Sequence, residues 1–243
     1  MKRALLFEFL LVILYGCSKD SGNAGTGASL KVKSVTEELA GPTYHRVTTS
    51  MLSYDPQDRL ISLQSDSITT SLTYGPGLIE KNVYHIGLPE EHSFFYVRPD
   101  GVVDSSVLYS VIFDSIYFSY QYNSKNQLEM ETMRSNVWPA SSYDTIYYEY
   151  NSAGDFSKTT QAGNVNTFEY YDQPNYRTPL SILIPWFPVT PHLLKQSWYA
   201  FNGVNQTTTT CAYDFDDYGR IISVSNQTTG SYPQAYKITY TYY

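Results

Sequence analysis

The chain is 243 residues long, 42% hydrophobic and 16% charged, with 16 basic and 23 acidic side chains and a formal charge of −7. Its length suits one folded domain, and the acidic balance argues against nucleic acid or an anionic membrane as partner. Tyrosine occurs 25 times and cysteine only twice, a composition that points to strands and leaves no basis for a disulfide framework. At the start, Lys2 and Arg3 precede an apolar run from Leu5 to Leu14 that only Glu8 interrupts. This is the order of a secretory signal peptide, and the run is too short to remain as a spanning helix.

The run ends in Leu14-Tyr15-Gly16-Cys17, which resembles a bacterial lipoprotein signal. The resemblance implies cleavage after Gly16, with Cys17 as the first mature residue and the site of lipid attachment. The other reading is a cut elsewhere that leaves Cys17 idle. Loss of residues 1–16 removes Lys2, Arg3 and Glu8, leaving 14 basic and 22 acidic residues and a charge of −8. Ser18 to Ser29 is polar and glycine-rich, too poor in apolar groups to fold, and so reads as a flexible tether. Lys19-Asp20 is similar to a short form of the export tag of Bacteroidetes surface lipoproteins, which implies outward display on the outer membrane. The chain thus divides into a signal peptide at 1–16, a tether at 17–29 and one all-β domain at 30–243.

Within that domain one unit recurs: an alternating strand, an aromatic residue, a turn and a second strand. It reads Tyr54-Asp55-Pro56-Gln57-Asp58-Arg59-Leu60, then Tyr122-Asn123-Ser124-Lys125-Asn126-Gln127-Leu128. Further copies are Tyr150-Asn151-Ser152-Ala153-Gly154-Asp155-Phe156 and Phe215-Asp216-Asp217-Tyr218-Gly219-Arg220-Ile221. Asp or Asn opens such a turn by bonding to backbone two residues on, and the fourth residue after the aromatic takes positive φ. The strands leading in alternate with period two, as in Ile116, Phe118, Tyr120 and Tyr122, or Ile146, Tyr148 and Tyr150. Looser copies run through Ile68, Leu72 and Tyr74, through Phe94 and Tyr96, and through Phe168 and Tyr170, and Tyr236 to Tyr242 forms a last strand. Counting turns predicts on the order of thirteen strands in an antiparallel up-and-down meander, with no long helix.

These units resemble the YD repeats of Rhs-type shells, although Gln127 and Asp155 stand where Arg is usual. The whole domain is similar to small Bacteroidetes lipoproteins of a domain-of-unknown-function family with a porin-like fold. The hairpin from Tyr213 to Ile221 and the run Asp172-Gln173-Pro174-Asn175 carry that likeness. It implies an architecture and brings no functional residues. A long meander must curl or close to protect its edges. Its alternate face carries Ser62, Gln64, Ser119, Gln121 and Glu149, which predicts a water-soluble, porin-like barrel with rings inside. An outer-membrane channel, which would need an apolar outer face, is the alternative.

Catalytic signatures are absent: no His-Glu-x-x-His, no Gly-x-Ser-x-Gly, no phosphate-cradling loop and no Cys-x-x-Cys. His45, His85, His92 and His192 lack ligand spacing, and Cys211 reads as a small buried residue. Asp214, Asp216 and Asp217 before Gly219 form a weak calcium candidate, but Tyr218 and Ser225 stand where oxygen ligands belong. No metal and no cofactor is therefore expected. Asp66-Ser67-Ile68, Asp114-Ser115-Ile116 and Asp144-Thr145-Ile146 resemble the O-glycosylation acceptor of exported Bacteroidetes proteins, and equally suit strand starts. Five prolines between Asp172 and His192 surround Leu183, Trp186 and Phe187, an apolar loop expected to plug one barrel mouth or to touch a ligand. The expected function is a non-catalytic binding or structural module whose rings stack on a glycan or dock a surface protein complex. The membrane is met only through the lipid. A carboxylate-dependent glycan-processing enzyme, with Glu90 and Glu91 or the Asp214–Asp217 group as acids, is the other class.

Overall fold

The computed structural model describes residues 31–111, 114–135, 143–174, 190–231 and 233–243. Among them are sixteen strands and no helix. The strands are β1 (Val32–Gly41), β2 (Tyr44–Tyr54), β3 (Leu60–Gln64), β4 (Ile68–Gly75), β5 (Leu78–His85), β6 (Leu88–Val97), β7 (Val103–Ser110) and β8 (Asp114–Tyr122). They continue as β9 (Leu128–Ser135), β10 (Tyr143–Tyr150), β11 (Phe156–Gln161), β12 (Asn164–Pro174), β13 (His192–Phe201), β14 (Val204–Phe215), β15 (Ile221–Gly230) and β16 (Gln234–Tyr242). Each pairs antiparallel with its sequence neighbours, and β1 pairs with β16 from Val32–Tyr242 to Ala40–Ala235, so the meander closes into a barrel. Turn signals in the sequence predict about thirteen strands; the two-residue turns Ile86-Gly87 and Ala162-Gly163 lack a strong punctuation signal, whereas Asn202-Gly203 carries one that the count passes over. The fold class is as expected.

Since every described strand belongs to this single closed layer, its buried face is the interior. Ile238, Tyr240, Leu52, Leu60, Tyr120, Leu128, Tyr148 and Phe156 lie there, while Gln64, Ser119, Gln121 and Glu149 are exposed on the outer face. One expectation fails. Phe94 and Tyr96 read as core, yet Phe95 is the buried residue, paired with Ile79 and Ser106, which places Phe94 and Tyr96 on the outer wall.

The recurrent turns account for the tyrosine content. At each, a bulge precedes the turn, as between Ser53 and Tyr54, Gln121 and Tyr122, Glu149 and Tyr150, and Asp214 and Phe215. The fourth turn residue is left-handed, with φ of 65° at Asp58, 61° at Asn126, 92° at Gly154 and 75° at Gly219. Asp55 Oδ1 accepts from the backbone of Gln57 and Arg59 while Oδ2 accepts from Arg59 Nε at 2.6 Å. Asp216 repeats this with Tyr218 and Arg220. Where Asn123 replaces Asp, its Nδ2 donates to Gln127 Oε1 at 3.0 Å, and Asn151 donates likewise to Asp155. An amide donates where a carboxylate cannot, so its partner five positions into the turn must accept, and Gln127 and Asp155 replace Arg for that reason.

The tyrosine before a turn then reaches across to the preceding strand pair. Tyr54 donates to Val32 O, Tyr74 to Leu60 O, Tyr122 to Val103 O, Tyr150 to Leu128 O and Tyr242 to Ile221 O. Arg59 lies over the Tyr74 ring at 4.5 Å, Arg98 over Tyr122 at 5.2 Å and Arg220 over Tyr242 at 4.2 Å. A belt of phenols, roofed by guanidinium groups, thus seals the end of the barrel that carries the long turns.

Candidate functional site

β12 ends and β13 begins at this sealed end, so the proline-rich segment between them leaves and re-enters here. Leu183, Trp186 and Phe187 lie outside the described residues, as do Gly16 and Cys17. On the loop's far flank Thr190, Leu193 and Leu194 are fully buried. The buried carboxylate of Asp155 accepts from His192 N at 2.9 Å and meets His192 Nδ1 at 2.8 Å, which clamps that flank to the turn between β10 and β11.

The predicted carboxylate groups are dispersed. Asp216 is committed to its own turn, Asp214 accepts from Ser223 Oγ at 2.5 Å, and Glu91 is held by Lys81 Nζ at 2.8 Å and Ser93 Oγ at 2.7 Å. Glu90 lies at the bulge that interrupts the β5–β6 ladder. No group of metal-ligating side chains assembles among the described residues. Cys211 is buried, and that burial pushes its thiol up to about 12. Of the acceptor-like triplets, Ser115 is buried.

Two features went unrecognised in the sequence. The first is Glu131, whose carboxyl end lies deep in the barrel and accepts from Tyr148 at 2.9 Å. Burial is the main cause that raises its pKa, with the charge of Asp144 adding to it. A carboxyl raised by folding contributes stability below its unfolded pKa and loses it as pH rises through the folded value. Glu131→Gln, which keeps an acceptor for Tyr148, is therefore expected to raise the denaturant midpoint at neutral pH, with variant and parent converging in acid. A variant less stable than the parent at neutral pH contradicts this.

The second feature is a cluster of rings on the outer wall. His92 and Phe94 have centroids 4.2 Å apart, and Tyr109 meets Phe94 edge-on at 6.2 Å. Register continues the cluster: Val107 pairs with Phe94 on one side and Tyr117 on the other. Tyr96, Tyr109 and Tyr117 are each 40–45% exposed. Beside the rings on β5, Glu80 Oε1 accepts from Asn82 Nδ2 at 3.2 Å and meets His92 Nε2 at 3.0 Å. Those two hydrogen bonds, Asn82 first, hold the Glu80 carboxyl below its usual range. Apolar ring faces flanked by a carboxylate, an amide and an imidazole can stack on C–H surfaces and bond to hydroxyls at once. A signal existed in the alternation itself, because Ser93 and Phe95 compete with Phe94 and Tyr96 for the interior and only ladder partners decide. An open depression of about 440 Å³, with Ala40, Ala212, Ser225 and Ala235 among its lining, lies elsewhere on the wall.

No protein-family model matches the chain, and no curated protein does. The barrel is similar to the crystal structure of a porin-like protein from Bacteroides uniformis, with a TM-score of 0.63 and 14% identity over 89% of this chain and 99% of that one. At that identity the likeness is one of fold, and it is to a porin-like barrel.

Proposed function

We propose that this chain is an exported, lipid-tethered barrel that binds rather than catalyses, and that its ring cluster on β6–β8 contacts the surface of a glycan. The observation that carries this reading is the cluster itself. Exposed apolar residues elsewhere on the wall, such as Met51, Ile61 and Tyr147, are scattered among Ser, Thr and Gln, whereas here the rings gather on neighbouring strands. They contribute little to the core, and each stacked ring adds about 0.5–1.5 kcal/mol beyond its area burial to an aromatic contact. The ionised Glu80 favours neutral sugars over uronic acids, since a second carboxylate beside it would be repelled. Attachment through Cys17 would place this wall at the cell surface.

Affinity electrophoresis in gels containing neutral polysaccharides tests the reading. The parent is expected to be retarded by at least one of them, and Tyr109→Ala with Tyr117→Ala to weaken that binding roughly tenfold, in line with two lost stacking contacts. The Tyr→Phe pair should retain most of it. Absence of retardation, or retardation untouched by the alanine pair, defeats the proposal.

A further inference from the structure

The two ends of the barrel differ in chemistry. The long turns at the sealed end carry Asp55, Arg59, Arg98, Asp100, Asp216 and Arg220 among their charges. At the opposite end the described connecting residues are 42–43, 65–67, 86–87, 111, 162–163, 202–203, 231 and 233. Asp66 is the charged one among them, Asp114 opens β8 beside them, and Arg46 and Glu90 follow a little further along β2 and β6. Apolar side chains stand at these tips instead. Ile86 is 76% exposed, Val111 73%, Leu88 72% and Val204 61%, with Phe201 and Tyr44 also exposed.

Ile86 is the most telling. It occupies the first position of a two-residue hairpin turn with φ of 51°, followed by Gly87 at 76°. That turn favours Asn, and the hairpin between β13 and β14 has it, with Asn202 at 48° and Gly203 at 78°. A β-branched residue in the left-handed region is strained, and strained backbone clusters at functional sites. Here the strain comes with a fully displayed apolar side chain, so neither the backbone nor the core gains from isoleucine.

We infer that these tips form a rim that dips into a zwitterionic lipid surface. They are separate aliphatic and aromatic fingertips around the barrel end. Acyl chains close around such isolated groups, and tips whose charges are the acidic Asp66 and Asp114 rather than a basic cluster match a zwitterionic interface and not an anionic one. The tether reaches far enough. β1 begins at the sealed end, where Lys31 pairs with Asp58 and Tyr243 N donates to Lys31 O. Fourteen peptide links separate Cys17 from Lys31, and that length of chain extends up to roughly 45–50 Å. The ten residues of β1 span about 33 Å. A chain held at Cys17 can therefore lie with its far rim on the bilayer that holds its lipid, leaving the ring cluster on the side wall free. The inference rests on the reading of Cys17 as the anchor only for this delivery.

The test uses the full chain, isolated after export and reconstituted into phosphatidylcholine vesicles whose acyl chains carry nitroxide quenchers. Single labels are placed through Leu88→Cys, Val204→Cys or, as the sealed-end control, Asp217→Cys, with a bimane fluorophore on the introduced thiol. Labels at 88 and 204 are expected to lose at least half of their emission, and the label at 217 to keep nearly all of it. A rim label as bright as the control overturns the inference and turns the tips into a protein-docking surface. Quenching at all three positions overturns it as well, in favour of a barrel immersed in lipid. Mass spectrometry of Cys17 reads the anchor separately. If Cys17 carries no acyl group, the same vesicles offered to the soluble protein decide the rim by itself. Ile86→Asn separates function from fold: it should raise the unfolding midpoint while lowering the residual membrane retention of a deacylated chain. A lower midpoint would show that Ile86 serves the fold, and would overturn the inference.

Discussion

Titrated upward past pH 10, the protein is expected to unfold cooperatively between about pH 10 and 12, with tyrosinate absorbance and loss of strand signal rising together. The belt at the sealed end is the reason. Burial raises Tyr54 and Tyr122 from 10.0 to about 12, and it raises Tyr74, Tyr150 and Tyr242 as well. Tyr54, Tyr74, Tyr122, Tyr150 and Tyr242 each donate a proton to a backbone carbonyl, and a phenolate in that place would set two acceptors against each other. A raised pKa means that the folded state holds protons which the unfolded chain has released. Stability is then whole below pH 10 and falls as pH rises toward the folded values. Several members shift in the same direction, so the losses accumulate within one narrow window. Independent titration of the phenols without loss of strand signal would show that the belt does not hold the end closed. Tyr54→Phe should also blunt the alkaline transition, since it removes one of the groups that drive it.

Asp155→Ala is expected to destabilise the barrel by about 3 kcal/mol in denaturant unfolding, because hydrogen bonds to a charged group are worth about 1.5–3 kcal/mol and a stranded buried donor costs more. The carboxylate is almost wholly enclosed, and it accepts from His192 N, from Asn151 Nδ2 and from the His192 ring. Truncation leaves the His192 amide without its acceptor beside the fully buried Thr190, Leu193 and Leu194. Asp155→Asn should cost less, since it keeps one acceptor oxygen for the backbone amide. Equal stability of the alanine variant and the parent would mean that the clamp is incidental. The location matters because this clamp fastens the re-entry of the proline-rich segment, and its failure should also raise proteolytic cutting between Pro174 and Thr190.

What was legible in the sequence was local. The left-handed turn residue, the Asp or Asn that opens each turn and the alternation of Ile116, Phe118, Tyr120 and Tyr122 depend on neighbours a few residues away. Short-range sterics and hydrogen bonding specify such features without the rest of the fold. Even the departures at Gln127 and Asp155 obey a rule of this kind, an amide partner in place of a guanidinium.

What needed the tertiary structure was every choice between two locally equal options. Phe94 or Phe95 could face inward, and Ile79 and Ser106 on the flanking strands settled it in favour of Phe95. The ring cluster and the raised Glu131 follow from such ladder choices, because Tyr109 meets His92, and Tyr148 meets Glu131, only across paired strands. Closure joins Val32 to Tyr242 across almost the whole domain. No window of sequence reports a contact of that separation, since its free energy is gained only when all intervening strands have paired. The same holds for the two unlike ends. The up-and-down order sends alternate turns to opposite ends, and only then do scattered Asp and Arg on one set, and Ile86, Val111 and Val204 on the other, become surfaces.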